Sequence, residues 1–290
     1  MRCLAPFVLV ALASCGSPTP EPVKVDAEPV KPATPVPTVK PPAPLPRFDI
    51  PPPPSLQVAP RVAFPLAGTV VAHGGGPLRA DVISRFAQHC GRDGTLVLIP
   101  TAAEGADNPA TLEKLPKRWR KRVGTVDVLH TLDRQRADDP AFVAPLREAA
   151  CVWIGGGAQG RLRDAYVDTR LHDALHDVLL RGGAVGGYSA GAAILSDVII
   201  RKGNPDPVED IGFGLLPGAI IDQHFVVKDR EPRLRKMVQR HPDHVGYGID
   251  EDTALFITGS SYEVFGASIV RRCTAQGCTT LDAGARGSFP

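Results

Sequence analysis

Between residues 68 and 195, short apolar runs alternate with segments of helical period. "GTVVAHGGG" (68–76), "TLVLIPTAA" (95–103), "TVDVLHT" (125–131) and "CVWIGGGAQGRL" (151–162) read as strands, the first and last running into glycine loops. Between them, "ADVISRFAQHCG" (80–91), "PATLEKLPKRWRKRVG" (109–124), "DPAFVAPLREAA" (139–150) and "RDAYVDTRLHDALHDVLLRGG" (163–183) read as helices. Buried strands joined by helices satisfy both of their faces only in a mostly parallel sheet covered on each side. The pattern therefore predicts an α/β fold whose functional groups gather beyond the carboxyl ends of the strands.

The amino-terminal quarter reads differently. Arg2, the apolar run "APFVLVALA" and then Leu12-Ala13-Ser14-Cys15-Gly16 form an export signal too short to span a membrane as a helix. Small residues ahead of a cysteine resemble a bacterial lipobox, which implies that the mature chain starts at a lipid-bearing Cys15. Residues 18–60 hold 16 prolines in 43 positions and few large apolar side chains. Such a segment cannot bury enough surface to fold and is expected to be an extended stalk. The expected organisation is a leader over 1–15, a disordered proline-rich stalk over 16–60 and one domain over 61–290, exported and tethered to a bacterial membrane through lipid alone.

The formal net charge is +2 with no basic stripe, which argues against a nucleic-acid partner. No further apolar run of 18 residues follows the leader. Cys273 and Cys278 are close enough in sequence to close a small loop in an oxidising compartment, whereas Cys90 and Cys151 read as buried thiols. No Cys/His couples have metal-ligand spacing, so neither a metal nor another cofactor is expected. A homodimer is left open.

The segment "AVGGYSAGAAIL" (184–195) places Ser189 between the end of a buried strand and the first turn of a helix, with Gly187 and Gly191 on either side. That is the pattern of a nucleophile elbow, in which a tight turn and close neighbours leave no room for a Cβ at the flanking positions. A serine needs a base, and the base needs an orienting acid. Three histidines follow Ser189. His224 ends an apolar strand in "GLLPGAIIDQHF" (214–225), while His241 and His244 sit in a polar turn and are expected to be solvated. Asp250, Glu251 and Asp252 in "GYGIDEDTALFI" (246–257) offer an acid.

Together "GGGAQGRL", "GGYSAGAA", "GLLPGAIIDQHF" and "GYGIDEDTA" stand in the order and spacing of the cyanophycinase-like serine peptidases, the family that also contains aspartyl dipeptidase E. The resemblance runs over about 68–270. It implies a three-layer α/β sandwich of the class-I glutamine amidotransferase type and hydrolysis of peptide bonds next to aspartyl residues. It assigns Ser189 as nucleophile, His224 as base and Glu251 as orienting acid. In dipeptidase E the acid lies between serine and histidine, where Glu209 and Asp210 stand here. The resemblance further assigns the backbone N–H groups of Gly157 and Ala190 to the oxyanion hole, and Gln159, Asp222, Gln223, Arg230 and Arg233 to substrate binding. Lys228, Arg230 and Arg233 are suited to clamping a substrate carboxylate.

This chain departs from the family pattern at Ala158, where Asp or Asn is usual, and at Tyr188, where a small hydroxyl residue is common. The stretch from Ser189 to His224 is also shorter than in cyanophycinases. Small isoaspartyl peptides are thus as fitting a substrate as the polymer cyanophycin. Two alternatives remain. "HGGG" (73–76) and the serine elbow also occur in α/β-hydrolase esterases, but those enzymes place the acid before a late histidine, and no histidine follows His244 here. The other is a binding lipoprotein that has lost catalysis.

Overall fold

The computed structural model describes residues 63–290. The leader, Cys15 and the proline-rich stalk expected above lie outside the described residues. Along the chain the elements are β1 (Leu66–His73), α1 (Ala80–Cys90), β2 (Thr95–Ile99), α2 (Pro109–Leu112), β3 (Thr125–Val128), α3 (Arg134–Ala137), α4 (Pro140–Glu148), β4 (Ala149–Ile154), α5 (Gln159–Tyr166), α6 (Arg170–Leu180), β5 (Ala184–Tyr188), α7 (Ala190–Ala193), β6 (Val198–Lys202), β7 (Val208–Ile211), β8 (Ala219–Gln223), α8 (Glu231–Arg240), β9 (Val245–Ile249), β10 (Thr253–Gly259), β11 (Ser261–Gly266), β12 (Val270–Thr274), β13 (Gly277–Leu281) and β14 (Arg286–Ser288).

An eight-stranded sheet runs β14-β11-β10-β1-β5-β4-β2-β3. Its β1, β5, β4, β2 and β3 are parallel, and β10, β11 and β14 add antiparallel strands at one side. Alternate residues of the parallel strands go to opposite faces. Val70, Val97, Val152 and Val185 pack with Val143 and Leu146 of α4 and Leu171, Leu175 and Val178 of α6. Val71, Leu96, Leu98 and Trp153 pack with Val82, Ile83 and Phe86 of α1 and with Trp119. The result is a three-layer α/β sandwich with a mostly parallel sheet, of the class-I glutamine amidotransferase type.

Three expectations are corrected. The segment 109–124 is not one helix: α2 ends after one turn and a 3₁₀ turn follows at Leu115–Arg118. Pro116 has no N–H to continue the ladder and its ring excludes the preceding turn. The segment 163–183 is two helices, broken at Asp168, which has φ 59°. There the Thr169 hydroxyl donates to the Tyr166 carbonyl (2.7 Å), closing the turn that re-aims the chain into α6. Cys90 and Cys151 are not free thiols but a disulfide joining the end of α1 to β4, with Cα atoms 5.2 Å apart. Cys273 and Cys278 are also bonded, as directly opposed residues of β12 and β13.

Strands β8 and β9, with α8 between them, do not extend the large sheet. They pair in parallel within a second sheet of order β13-β12-β9-β8. Two sheets therefore bring their strand ends together at one rim.

His73, the last residue of β1, is fully buried at that rim. Its Nδ1 accepts the N–H of Gly75 (3.0 Å), which leaves the proton on Nε2, and its ring stacks on Tyr188. Burial, helped by the charge of His224, lowers its pKa from 6.5 to about 4. Between those two pH values the unfolded chain holds the extra proton and the folded chain does not, so stability falls as pH drops from 6.5 towards 4. At 1.36 kcal/mol per pKa unit, the loss is about 3 kcal/mol. His73→Asn, whose Oδ1 can take over the acceptor role without titrating, should flatten this part of the profile. The comparison needs denaturant midpoints of both proteins at pH 7 and pH 4.5. An equally steep fall in the variant would place the titrating group elsewhere.

Candidate active site

Three consecutive carbonyls at the carboxyl end of β1 organise the rim. His73 C=O accepts the N–H of Ser189 (2.9 Å), Gly74 C=O that of His224 (2.7 Å) and Gly75 C=O that of Asp252 (2.9 Å). Each of the three donors has a left-handed backbone, with φ of 52°, 50° and 57°. Such conformations cost energy in non-glycine residues and persist where the surroundings over-determine them. Ser189 is thereby held at the tight turn between β5 and α7. A Cβ on Gly187 would lie 2.1 Å from the Gly191 carbonyl oxygen, and one on Gly191 would lie 2.3 Å from that of Ile154. Both glycines of the elbow are thus required by close backbone approach.

Within this frame the Ser189 hydroxyl donates to His224 Nε2 (2.8 Å), and His224 Nδ1–H donates to Glu251 Oε1 (2.6 Å). Ser189 follows β5, His224 follows β8 and Glu251 follows β9, so the chain of three groups is assembled from both sheets. This is the order in which a serine, a histidine and an acid stand where a hydroxyl is to be activated by an imidazole whose tautomer the acid fixes. The glycine loop supplies the bed for it. A Cβ on Gly75 would sit 2.2 Å from His224 Cε1, and one on Gly76 would sit 2.7 Å from the Glu251 Cβ. The "HGGG" run thus lies under His224 and Glu251, which is not the role that an esterase gives it.

The neighbouring acids have other partners. Asp250 is buried; its Oδ1 accepts the N–H groups of Val226 (3.0 Å) and Val227 (3.2 Å), and its Oδ2 accepts the Ser268 hydroxyl (2.8 Å). It fixes the backbone immediately after His224. Glu209 accepts from His241 Nε2 (2.6 Å), and Asp210 accepts from Arg163 (3.0 Å) and Arg201 (2.7 Å), so neither acid of β7 is at His224. His241 and His244 are not simply solvated. His244 is hydrogen-bonded to Asp197 (3.1 Å) as His241 is to Glu209, because both lie half-buried where α8 ends.

Ser189 and His224 open into a cavity of about 580 Å³ whose lining includes Gly157, Gln159, Gln223, Arg230 and Arg233. The N–H groups of Gly157 and of Ala190, the first residue of α7, donate to no other described residue. Gln159 is buried, and its amide nitrogen donates to the carbonyls of Ile200 (2.6 Å) and Arg201 (3.1 Å).

Asp222 is fully buried and does not line the cavity. Burial pushes its carboxyl upward, and the fork of Arg233 opposes that shift. Arg233 donates from Nε to Asp222 Oδ2 (2.7 Å) and from Nη2 to Asp222 Oδ1, while Arg230 donates to the Gln223 carbonyl and lies 3.5 Å from Asp222. Arg233 is therefore not a free clamp: it is 3% exposed, and a buried guanidinium needs its counter-charge. Arg201 is likewise paired, with Asp164 and Asp210. The lining cations without an ion-pair partner among the described residues are Lys202 and Lys228, both exposed.

Sequence reasoning did not single out Arg201, Lys202 or the role of Asp250. The apolar run of "DVIIRK" ending in two basic residues was the available signal for the first two. Tyr188 does not crowd this cavity. Its ring faces Gly156 and stacks on His73, its hydroxyl donates to the Gly76 carbonyl (2.5 Å), and it lines a different cavity.

The sequence model of peptidase family S51 matches residues 70–265, from β1 to β11. The cyanophycinase of Synechococcus elongatus is 32% identical over 218 residues, covering 70% of this chain and 67% of that protein. The cyanophycinase of Geminocystis herdmanii is 30% identical over 203 residues, covering 66% and 73%. Among solved structures, a peptidase from an acI-B1 Actinobacterium is similar with a TM-score of 0.65 at 26% identity, covering 78% of this chain and 98% of its own. A serine elbow at the rim of this fold, inside a family match that spans most of the chain, leads to one conclusion: the chain belongs to peptidase family S51 and is a serine-type peptidase.

Proposed function

We propose that this peptidase hydrolyses peptide bonds of aspartyl residues, in particular β-aspartyl bonds, through Ser189, His224 and Glu251. The observation that carries the proposal is the hydrogen-bonded run from Ser189 Oγ through the His224 imidazole to Glu251, opening into a cavity lined by cations and by no acid. Ser189 Oγ attacks the scissile carbonyl as His224 Nε2 takes its proton. The carbonyl oxygen becomes an oxyanion, stabilised by the free N–H groups of Gly157 and Ala190. The imidazolium then passes its proton to the departing amine, the C–N bond breaks and an acyl-enzyme remains. Water attacks this ester, giving up a proton to His224, and the serine is released. Glu251 holds the imidazole in the productive tautomer and stabilises its positive charge.

The cations favour a substrate carboxylate beside the scissile bond. A β-aspartyl unit has one, because linkage through its side chain leaves the α-carboxylate free. Lys202 and Lys228 are suited to receive it, with Arg230 adding charge from a site already shared with Asp222. The relatives named cyanophycinase support the same substrate class. The lipobox-like run ending at Cys15 and the proline-rich stretch after it support action outside the cytoplasm, on a lipid tether.

Ser189→Ala should lower hydrolysis by about four orders of magnitude or more without changing thermal unfolding, since the hydroxyl acts in the reaction rather than in packing. Glu251→Gln should lower kcat/KM by about a hundredfold or more. Near-wild-type rates in either variant would remove the assignment. Amidating the α-carboxylate of a β-aspartyl dipeptide should cost about tenfold in kcat/KM, as expected for a hydrogen bond to a charged group at an exposed site. The double variant Lys202→Glu/Lys228→Glu should abolish that preference, and indifference of the wild type to amidation would refute the carboxylate reading. Cell fractionation tests the tether: Cys15→Ser should move the protein from the membrane pellet to the soluble fraction, and retention in the pellet would exclude a lipid at Cys15 as the sole anchor.

A further inference from the structure

A second cavity, of about 640 Å³, lies on the other side of the elbow. Tyr188 and Gly155 line it, while the adjacent Ser189 and the nearby Gly157 line the cationic one. The glycine loop and the strand ends thus separate two cavities that share the nucleophile's turn as a wall. Their chemistry differs. The second cavity is walled by Trp119, Trp153, Leu98, Leu115 and the Tyr188 ring, and no acid lines it. Its cations, Lys114 and Arg118, are exposed and have no ion-pair partner among the described residues.

Trp119 and Trp153 are only 3% and 5% exposed, and they pack edge-on to Phe86, so these walls are rigid. The Tyr188 wall is fixed by its hydroxyl on the Gly76 carbonyl. The arrangement fits a large apolar side chain whose own backbone ends in a carboxylate: the ring or aliphatic group lies against the wall that the mutually packed Trp119 and Trp153 form with Leu98, Leu115 and Tyr188, and the carboxylate meets Lys114 and Arg118. A cationic side chain fits poorly, since it would lose its hydration and face two positive charges.

We propose that this cavity receives the leaving residue of the substrate and selects a carboxy-terminal residue with a large apolar side chain. The inference rests on the catalytic reading above. It specifies that reading: the acyl part sits among the lysines of one cavity, Ser189 lies at the partition, and an apolar leaving residue fills the other. The preferred substrates are then isoaspartyl dipeptides ending in residues such as leucine or phenylalanine, ahead of units that carry arginine.

The chain's two tryptophans are both in this wall, so their emission reports occupancy directly. Ser189→Ala protein, titrated with β-aspartyl-leucine, β-aspartyl-glycine and β-aspartyl-arginine, should give a saturable change in emission. The Kd for the leucine compound should be at least about tenfold below those of the other two, the range that apolar pockets achieve. Thr111→Phe, at a half-exposed lining position of α2, fills the cavity and should raise the Kd for β-aspartyl-leucine about tenfold while sparing β-aspartyl-glycine. Lys114→Glu/Arg118→Glu, both on the surface, should weaken β-aspartyl-leucine and not its carboxy-terminal amide. In the wild type, kcat/KM should follow the same order. Equal affinity for the leucine and arginine compounds, or indifference to both the filled and the charge-reversed variants, would overturn the proposal. If the emission change and its order hold while wild-type enzyme cleaves no β-aspartyl peptide, the catalytic reading fails and the binding site stands.

Discussion

The site depends on three consecutive carbonyls where β1 ends, those of His73, Gly74 and Gly75. In a peptide strand those groups are obligatory acceptors, and at the end of β1 no further strand residue remains to use them. The chain meets that demand with the backbone N–H groups of Ser189, His224 and Asp252, so satisfying these carbonyls also sets the spacing of Ser189, His224 and the segment of Glu251. The left-handed backbone at all three donors is the cost of this geometry. Because β1 is paired on both sides, with β5 and with β10, the three acceptors cannot slide. A one-residue slip would turn every side chain of β1 to the opposite face.

The same region explains why the glycines form a run. Gly74 approaches the Asp250 carbonyl, Gly75 the imidazole of His224 and Gly76 the side chain of Glu251, each closer than a Cβ permits. A loop that must carry two of the three backbone acceptors and also pass under the side chains of His224 and Glu251 has no volume for side chains of its own. Asp250 completes the frame from the other direction, tying the backbone after His224 to the segment of Ser268.

Much of this was legible in the sequence. Apolar runs of β1, β2, β4 and β5 separated by helical segments specify a covered parallel sheet. The glycines around Ser189 mark a tight turn, and the clash that a Cβ on Gly187 would make with the Gly191 carbonyl is local to it. Where the reading failed, the deciding interactions were of two kinds, a local breaker inside a helical period and pairings between distant segments. Helical period over 109–124 is real, but Pro116 overrides it. The break at Asp168 is stabilised by Thr169 and a buried Tyr166 rather than by a strong local breaker. That β8 and β9 leave the large sheet depends on β12 pairing with β9, and nothing local to either strand marks it. At the site, Arg233 in sequence is a basic residue near a histidine. Only the fold reveals that Asp222, eleven positions earlier and fully buried, has claimed it.

The two disulfides have a consequence for how the chain matures. Four cysteines can pair in three ways. Cys273 and Cys278 are separated by 5 positions and Cys90 and Cys151 by 61. Short loops close at lower entropic cost, and the β12–β13 hairpin already sets its two sulfurs opposite one another. Once that pair is oxidised, Cys90 and Cys151 have only each other among the cysteines of the domain. The spacing thus sorts the bonds by kinetics, so that an oxidising environment supplying electron acceptors but no catalyst of disulfide exchange would suffice to reach the native pairing.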